Sequence, residues 1–116
     1  MTPEAGDILH LSFDPASGRE MKGNHYCVVL TPRAFNAKFG VAWTCPVTTG
    51  LQEAARGLTA VTLMGSGLTI SGIVLCHQIK ALDWTARKAT VADRLRGAVL
   101  TQILEVCSAI LDPEHR

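Results

Sequence analysis

Apolar residues in this chain come in short runs, each ended by proline, glycine or a polar cluster, and only the stretch before the C-terminus repeats with a helical period. Such a chain cannot build a helical bundle, because most of its apolar faces are those of short strands, which bury their surface by pairing and curving into a closed sheet. From Ile8 to Phe13 the sequence alternates, with Leu9, Leu11 and Phe13 on one face and His10 and Ser12 on the other, and Asp14-Pro15 stops the strand. Tyr26 to Leu30 and Val41 to Cys45 read as two buried strands, separated by a Pro32-containing stretch with room for one short helical turn before Gly40. Thr59 to Leu63 and Ile70 to Leu75 read as strands joined through Gly65-Ser66-Gly67, and Gln78 to Leu82 adds another short one. In the final segment Leu95, Val99, Ile103, Cys107 and Ile110 share a helix face, with Asp93 as the expected cap. Gly97, placed inside that helix, is expected to weaken it by about 1 kcal/mol relative to Ala. The predicted architecture is mainly β with a C-terminal helix, a small antiparallel barrel.

At 116 residues the chain is expected to form one domain, 1–116, with a core of its own. Its net charge is +1, so a polyanion partner would have to meet a local basic patch. No leader pattern is visible, and Thr101, Gln102 and Glu105 interrupt the apolar stretch from Val99 to Leu111, so the expectation is a soluble, cytoplasmic protein with no membrane partner. Cys27, Cys45, Cys76 and Cys107 are widely spaced among apolar residues, which suggests buried free thiols and neither a zinc motif nor a disulfide framework.

Two loops concentrate the chemistry. Asp14 to Asn24 combines turn formers with Arg19, Glu20 and Lys22, and the tract from Pro46 to Gly57 is expected to leave the sheet with Thr48 and Thr49 at a strand end.

The order of Gly6-Asp7-Ile8, Phe13-Asp14-Pro15, Val28-Val29-Leu30-Thr31-Pro32, Pro46-Val47-Thr48-Thr49-Gly50, Gly72-Ile73-Val74-Leu75, Gln78 and Ala86-Arg87 resembles the MazF/PemK/ChpB toxins. That resemblance covers nearly the whole chain. It implies an SH3-like small barrel (MazF/PemK/CcdB-like), a homodimer, and the toxin of a type II toxin-antitoxin system. The implied activity is a metal-independent, sequence-specific endoribonuclease, an mRNA interferase. It cleaves single-stranded mRNA through attack of the ribose 2′-hydroxyl, leaving 2′,3′-cyclic phosphate and 5′-hydroxyl ends. No cofactor is implied. The implied protein partner is a cognate antitoxin of MazE/PemI type, whose acidic disordered segment would cover the basic loop.

In the family an Arg in a Gly-x-Arg-Pro context is the main catalytic residue, whereas this chain has Gly23-Asn24-His25-Tyr26. A guanidinium stabilises charge, while an imidazole also transfers protons. The expected catalytic set is therefore His25 for proton transfer, Arg19 for charge stabilisation and Thr48 as the orienting hydroxyl, with Lys22, Asn24, Thr49, His77, Gln78 and Lys80 as RNA contacts. Each has a plainer reading. His25 also fits a polar cap on a strand, Arg19 and Lys22 a solvated loop pair, Thr48 a β-branched residue at a strand end and Thr49 a turn former. His77, Gln78 and Lys80 divide evenly between structure and RNA. His10 and His115 are assigned no function, and Trp43 and Trp84 are read as core or interface.

The main alternative is a catalytically weakened toxin-like fold that binds RNA or antitoxin without efficient cleavage, favoured by His25-Tyr26 in place of Arg-Pro. A generic peptide-binding SH3-like domain fits poorly with 5% aromatic residues. A metal-dependent nuclease fits poorly with the dispersed acids Asp7, Asp14, Glu20, Glu53 and Asp83.

Overall fold

The computed structural model describes residues 1–49 and 57–114. Its elements are β1 (Asp7–Ser12), β2 (Asn24–Val29), α1 (Arg33–Phe39), β3 (Ala42–Thr48), β4 (Ala60–Thr62), β5 (Ile73–Leu75), β6 (Lys80–Leu82), β7 (Thr90–Arg94) and α2 (Ala98–Leu111). Short 3-10 turns occupy Gly57–Thr59 and Cys76–Gln78. Among the described residues, no helix is long and apolar enough to cross a membrane. Gly50, Glu53 and His115 lie outside the described residues.

The sheet runs in the order β4-β5-β3-β2-β1-β7, all pairs antiparallel, and β6 pairs with the first part of β3. β3 is the pivot: Ala42, Trp43 and Thr44 face β6, Thr44 to Pro46 face β2, and Val47 and Thr48 face β5. One strand shared among three partners curves the sheet, and each face covers its own core. Ile8, Val28, Cys45, Val47 and Val74 share one core with Ile103 of α2, while Leu9, Leu11, Phe13, Cys27, Val29 and Trp84 form the other. The double cover explains why Ile8-Leu9 and Cys27-Val28-Val29 are continuous apolar runs.

Several boundaries differ from the sequence reading. β3 continues through Pro46 and Val47 to Thr48, so the chain stays in the sheet where Pro46 predicts departure. Pro46 stands opposite Cys27 in the ladder with β2. The strand predicted from Gln78 begins at Lys80, because Gln78 belongs to the 3-10 turn, and the strand predicted from Ile70 begins at Ile73. The sequence reading holds no strand at β7: Thr90, Ala92 and Arg94 are exposed, Val91 and Asp93 half-buried, and among the described residues the strand pairs only with β1, with a register shift between Ile8 and Leu9. An edge strand with charged residues carries little apolar signal. Asp93, expected to cap the helix, sits in β7 opposite Ile8, and Gly97 takes the N-cap position without a side-chain cap. Leu95 precedes the helix and is fully buried, its N–H donating to the Gly6 carbonyl at 2.7 Å.

Candidate functional site

β1 and β2 are joined by the polar loop that starts at Phe13, and side chains from the second half of the chain hold it. Arg87 donates to the carbonyls of Ser12 at 2.8 Å and Asp14 at 2.7 Å, and Lys80 Nζ donates to those of Phe13 at 3.3 Å and Pro15 at 3.5 Å. The Gln78 amide donates to the Arg19 carbonyl at 2.8 Å and accepts from the Met21 N–H at 3.2 Å. Within the loop, Asp14 accepts from the Gly23 N–H at 3.1 Å and Glu20 from the Ser17 N–H at 3.0 Å. Gln78 and Lys80 are thus committed to loop backbone, and Arg19 and Lys22 are left exposed on its outer side.

His25 stands at the root of the loop. Its Nε2 lies 2.9 Å from the Lys22 carbonyl, and its Nδ1 lies 3.1 Å from the Val47 carbonyl of β3. Both partners are acceptors, so a neutral ring, with one N–H, donates to one of them, and the imidazolium donates to both. The ring meets the buried Phe13 edge-on, with centroids 6.2 Å apart. The β2–β3 ladder ends at the pair Cys27 and Pro46, and beyond it His25 and Thr48 line the same cavity. Thr48 is half-buried and is also paired to Ile73 of β5. Gly72, just before β5, passes so close that a Cβ there would come within 2.7 Å of the Thr48 carbonyl oxygen.

All the predicted residues but Lys80 line one of two cavities. Arg19, Lys22, His77 and Gln78 line one of about 360 Å³ beside the loop. Asn24, His25, Thr48 and Thr49 line a second of about 580 Å³. Lys80 lies beneath the loop and lines neither of these two. His77 is exposed, and its Nδ1 is 3.0 Å from Thr59 Oγ1.

Four contributors were absent from the predicted set. His10 and Tyr26 line the larger cavity, with ring centroids 4.9 Å apart, and Ser71 closes it. His10 lies on the predicted polar face of β1, but only the strand register, which pairs it with Tyr26, places it there. Arg87 falls within a family-like motif, yet its role as a loop clamp depends on a contact spanning more than half the chain. Among the described residues, the nearby carboxylates are committed separately: Asp14 and Glu20 within the loop, and Asp83 on the Ala86 N–H at 3.0 Å. That donor set does not form a cage for a hard cation.

The family model described as PemK-like, MazF-like toxin of type II toxin-antitoxin systems matches residues 4–111. The endoribonuclease toxin ChpB of Escherichia coli K12 is 37% identical over 110 residues, covering 94% of each chain. The crystal structure of MazF from Deinococcus radiodurans superposes with a TM-score of 0.84 at 32% identity, covering 96% of this chain and 97% of that one. A MazE-MazF complex from the same organism gives a TM-score of 0.79 at 30% identity, again covering 96% and 97%. With nearly its whole length matched in sequence and in fold, the chain belongs to the PemK-like, MazF-like toxin family.

Proposed function

We propose that the chain, a single toxin domain over 1–116, is a metal-independent endoribonuclease that cuts single-stranded mRNA in the cytoplasm and is held in check by a cognate antitoxin. The observation that carries this reading is that His25 and Thr48 line one cavity at the root of a loop that exposes Arg19 and Lys22. An RNA strand crossing that root brings a phosphodiester beside an imidazole, a hydroxyl and two cations. The substrate supplies its own nucleophile: the ribose 2′-oxygen bonds to phosphorus and gives up its proton, the bond from phosphorus to the 5′-oxygen breaks, and that oxygen takes a proton. The products are a 2′,3′-cyclic phosphate and a 5′-hydroxyl. In this scheme His25 transfers a proton, Arg19 offsets charge building on the phosphorane, and Thr48 donates to a non-bridging oxygen. Lys22, Asn24, Thr49 and His77 contact flanking nucleotides, while Gln78 and Lys80 act chiefly by shaping the loop.

His25 supports the scheme only if one of its carbonyl contacts opens when RNA binds, since both ring nitrogens face backbone oxygens. The same contacts favour a second reading, in which His25 is structural and the protein binds RNA or antitoxin without cutting efficiently. Incubation of the purified protein with a long RNA in excess chelator, with end groups mapped, separates the two. Cuts at a recurring short sequence with cyclic-phosphate ends are expected; intact RNA would establish the binder.

A homodimer fits the exposed apolar side chains Trp43, Leu58, Met64 and Leu111, and sedimentation at micromolar concentration is expected to report a dimer. The antitoxin is expected to lay an acidic segment along Arg19 and Lys22, and it should compete with RNA.

A further inference from the structure

The sulfurs of Cys45, Cys76 and Cys107 all lie within 4.8 Å of one another in the core beneath α2, with Cys45 and Cys107 at 3.8 Å. They come from separate elements: β3, the 3-10 turn after β5, and α2. We propose that these thiols form a site that captures one trivalent, thiophilic metalloid ion of the arsenite class.

The spacing suits such an ion. Sulfurs bound to one centre at about 2.3 Å, the length of a typical metal-thiolate bond, sit about 4 Å apart in planar three-coordination and about 3.4 to 3.5 Å apart in the pyramid of a centre that keeps a lone pair. With one pair at 3.8 Å and no pair beyond 4.8 Å, the trio closes on such a centre by a contraction of at most about 1.4 Å, within reach of side-chain adjustment in packed elements.

Charge selects the valence. Cys45 and Cys76 are fully buried, and their neighbours in this core include Val28, Leu30, Val61 and Ile103. A divalent ion with a full set of thiolates leaves a net negative charge among aliphatic side chains, which is costly. A trivalent centre leaves none. Zinc also takes a fourth ligand, and among the described residues the donor cluster consists of these sulfurs alone.

The chemistry balances without an oxidant or reductant. Arsenous acid, As(OH)₃, reacts with the protein thiols one at a time. At each step an As–O bond breaks, an As–S bond forms, and the thiol proton leaves with the hydroxyl as water. Cys107 is the natural first nucleophile: it alone of the trio retains some exposure, and hydrogen bonds from Cys45 and Cys76 hold its thiol below the usual range. Hydrogen bonding to Cys107 in turn raises Cys45 and Cys76. Cys27 belongs to the other core and serves as an internal control.

The test is native mass spectrometry of the reduced, folded chain with sodium arsenite alone, followed by alkylation mapping after unfolding. The expected result is one arsenic per chain with loss of one proton from each of the trio, those cysteines protected, and Cys27 alkylated. Cys45→Ala, Cys76→Ala and Cys107→Ala should each weaken retention at least tenfold, and Cys27→Ala should not. Mapping of the unsubstituted chain keeps the test sound if a variant fails to fold. Absence of bound arsenic, protection of only a pair, protection of Cys27, or a Cys45–Cys107 disulfide in place of the adduct would overturn the proposal. The readout is mass and thiol protection, so it stands apart from any result on RNA.

Discussion

Gly72 links the fold to the proposed chemistry, and replacing it with alanine is expected to damage both. Its φ is +136°, where side chains other than glycine are strained, and the added Cβ would meet the Thr48 carbonyl oxygen at 2.7 Å and Val47 Cγ1 at 2.8 Å. The backbone conformation alone costs about 1 to 3 kcal/mol. Forcing a methyl into a filled space adds about 1 to 3 kcal/mol more. Gly67 isolates the two contributions, because its φ is +85° and a Cβ there meets nothing within 4 Å. Gly67→Ala should therefore show the backbone cost and Gly72→Ala the backbone and steric costs together. With a urea m-value of about 2 kcal/mol/M, an excess of about 2 kcal/mol lowers the midpoint of Gly72→Ala by about 1 M relative to Gly67→Ala. RNA cleavage measured well below either midpoint should fall in Gly72→Ala, where the struck atom belongs to Thr48, and hold in Gly67→Ala. Equal midpoints and equal cleavage in the two variants would refute the close-approach argument.

Two further outcomes follow from particular contacts. Gln78→Ala removes both bonds that hold the loop at Arg19 and Met21, so KM for RNA should rise several-fold while the unfolding midpoint changes little; a fall in kcat alone would point instead to a direct chemical role. Burial pushes the Cys27 thiol from 9.0 up to about 12, so its contribution to stability is complete below about pH 9 and is lost as pH rises towards 12. The unfolding free energy from urea titrations should therefore decline with alkaline pH at up to about 1.4 kcal/mol per pH unit from this group, and Cys27→Ala should flatten the decline.

The strands with strong apolar runs were legible because each had a face to bury. β1, β2 and the first half of β3 follow from Leu9, Leu11, Val28, Val29 and Cys45 without reference to any partner. β7 was not legible, since its stability comes from the β1 ladder and its own residues are largely polar. Asp93 illustrates the same limit: an aspartate before a helical pattern reads as a cap until pairing with Ile8 draws it into the sheet. At the candidate site, the position of Thr48 at a strand end and of Arg19 and Lys22 on an exposed loop was readable from the sequence. The division of labour was not, because Gln78, Lys80 and Arg87 touch the loop across spans of 57 to 75 residues. The cysteine trio was invisible for the same reason: its spacing in sequence matches no metal motif, and only the packing of α2 on the sheet brings the sulfurs together.

The most direct test of the account is the single-turnover rate of RNA cleavage by His25→Ala, Thr48→Ala and Arg19→Ala, each checked for an intact fold. Loss of a proton-transfer group costs about 10²- to 10⁴-fold, so His25→Ala should fall in that range, with large losses also in Thr48→Ala and Arg19→Ala. A folded His25→Ala protein that cuts at the wild-type rate would contradict the assignment and leave His25 as a structural bridge between the loop and β3.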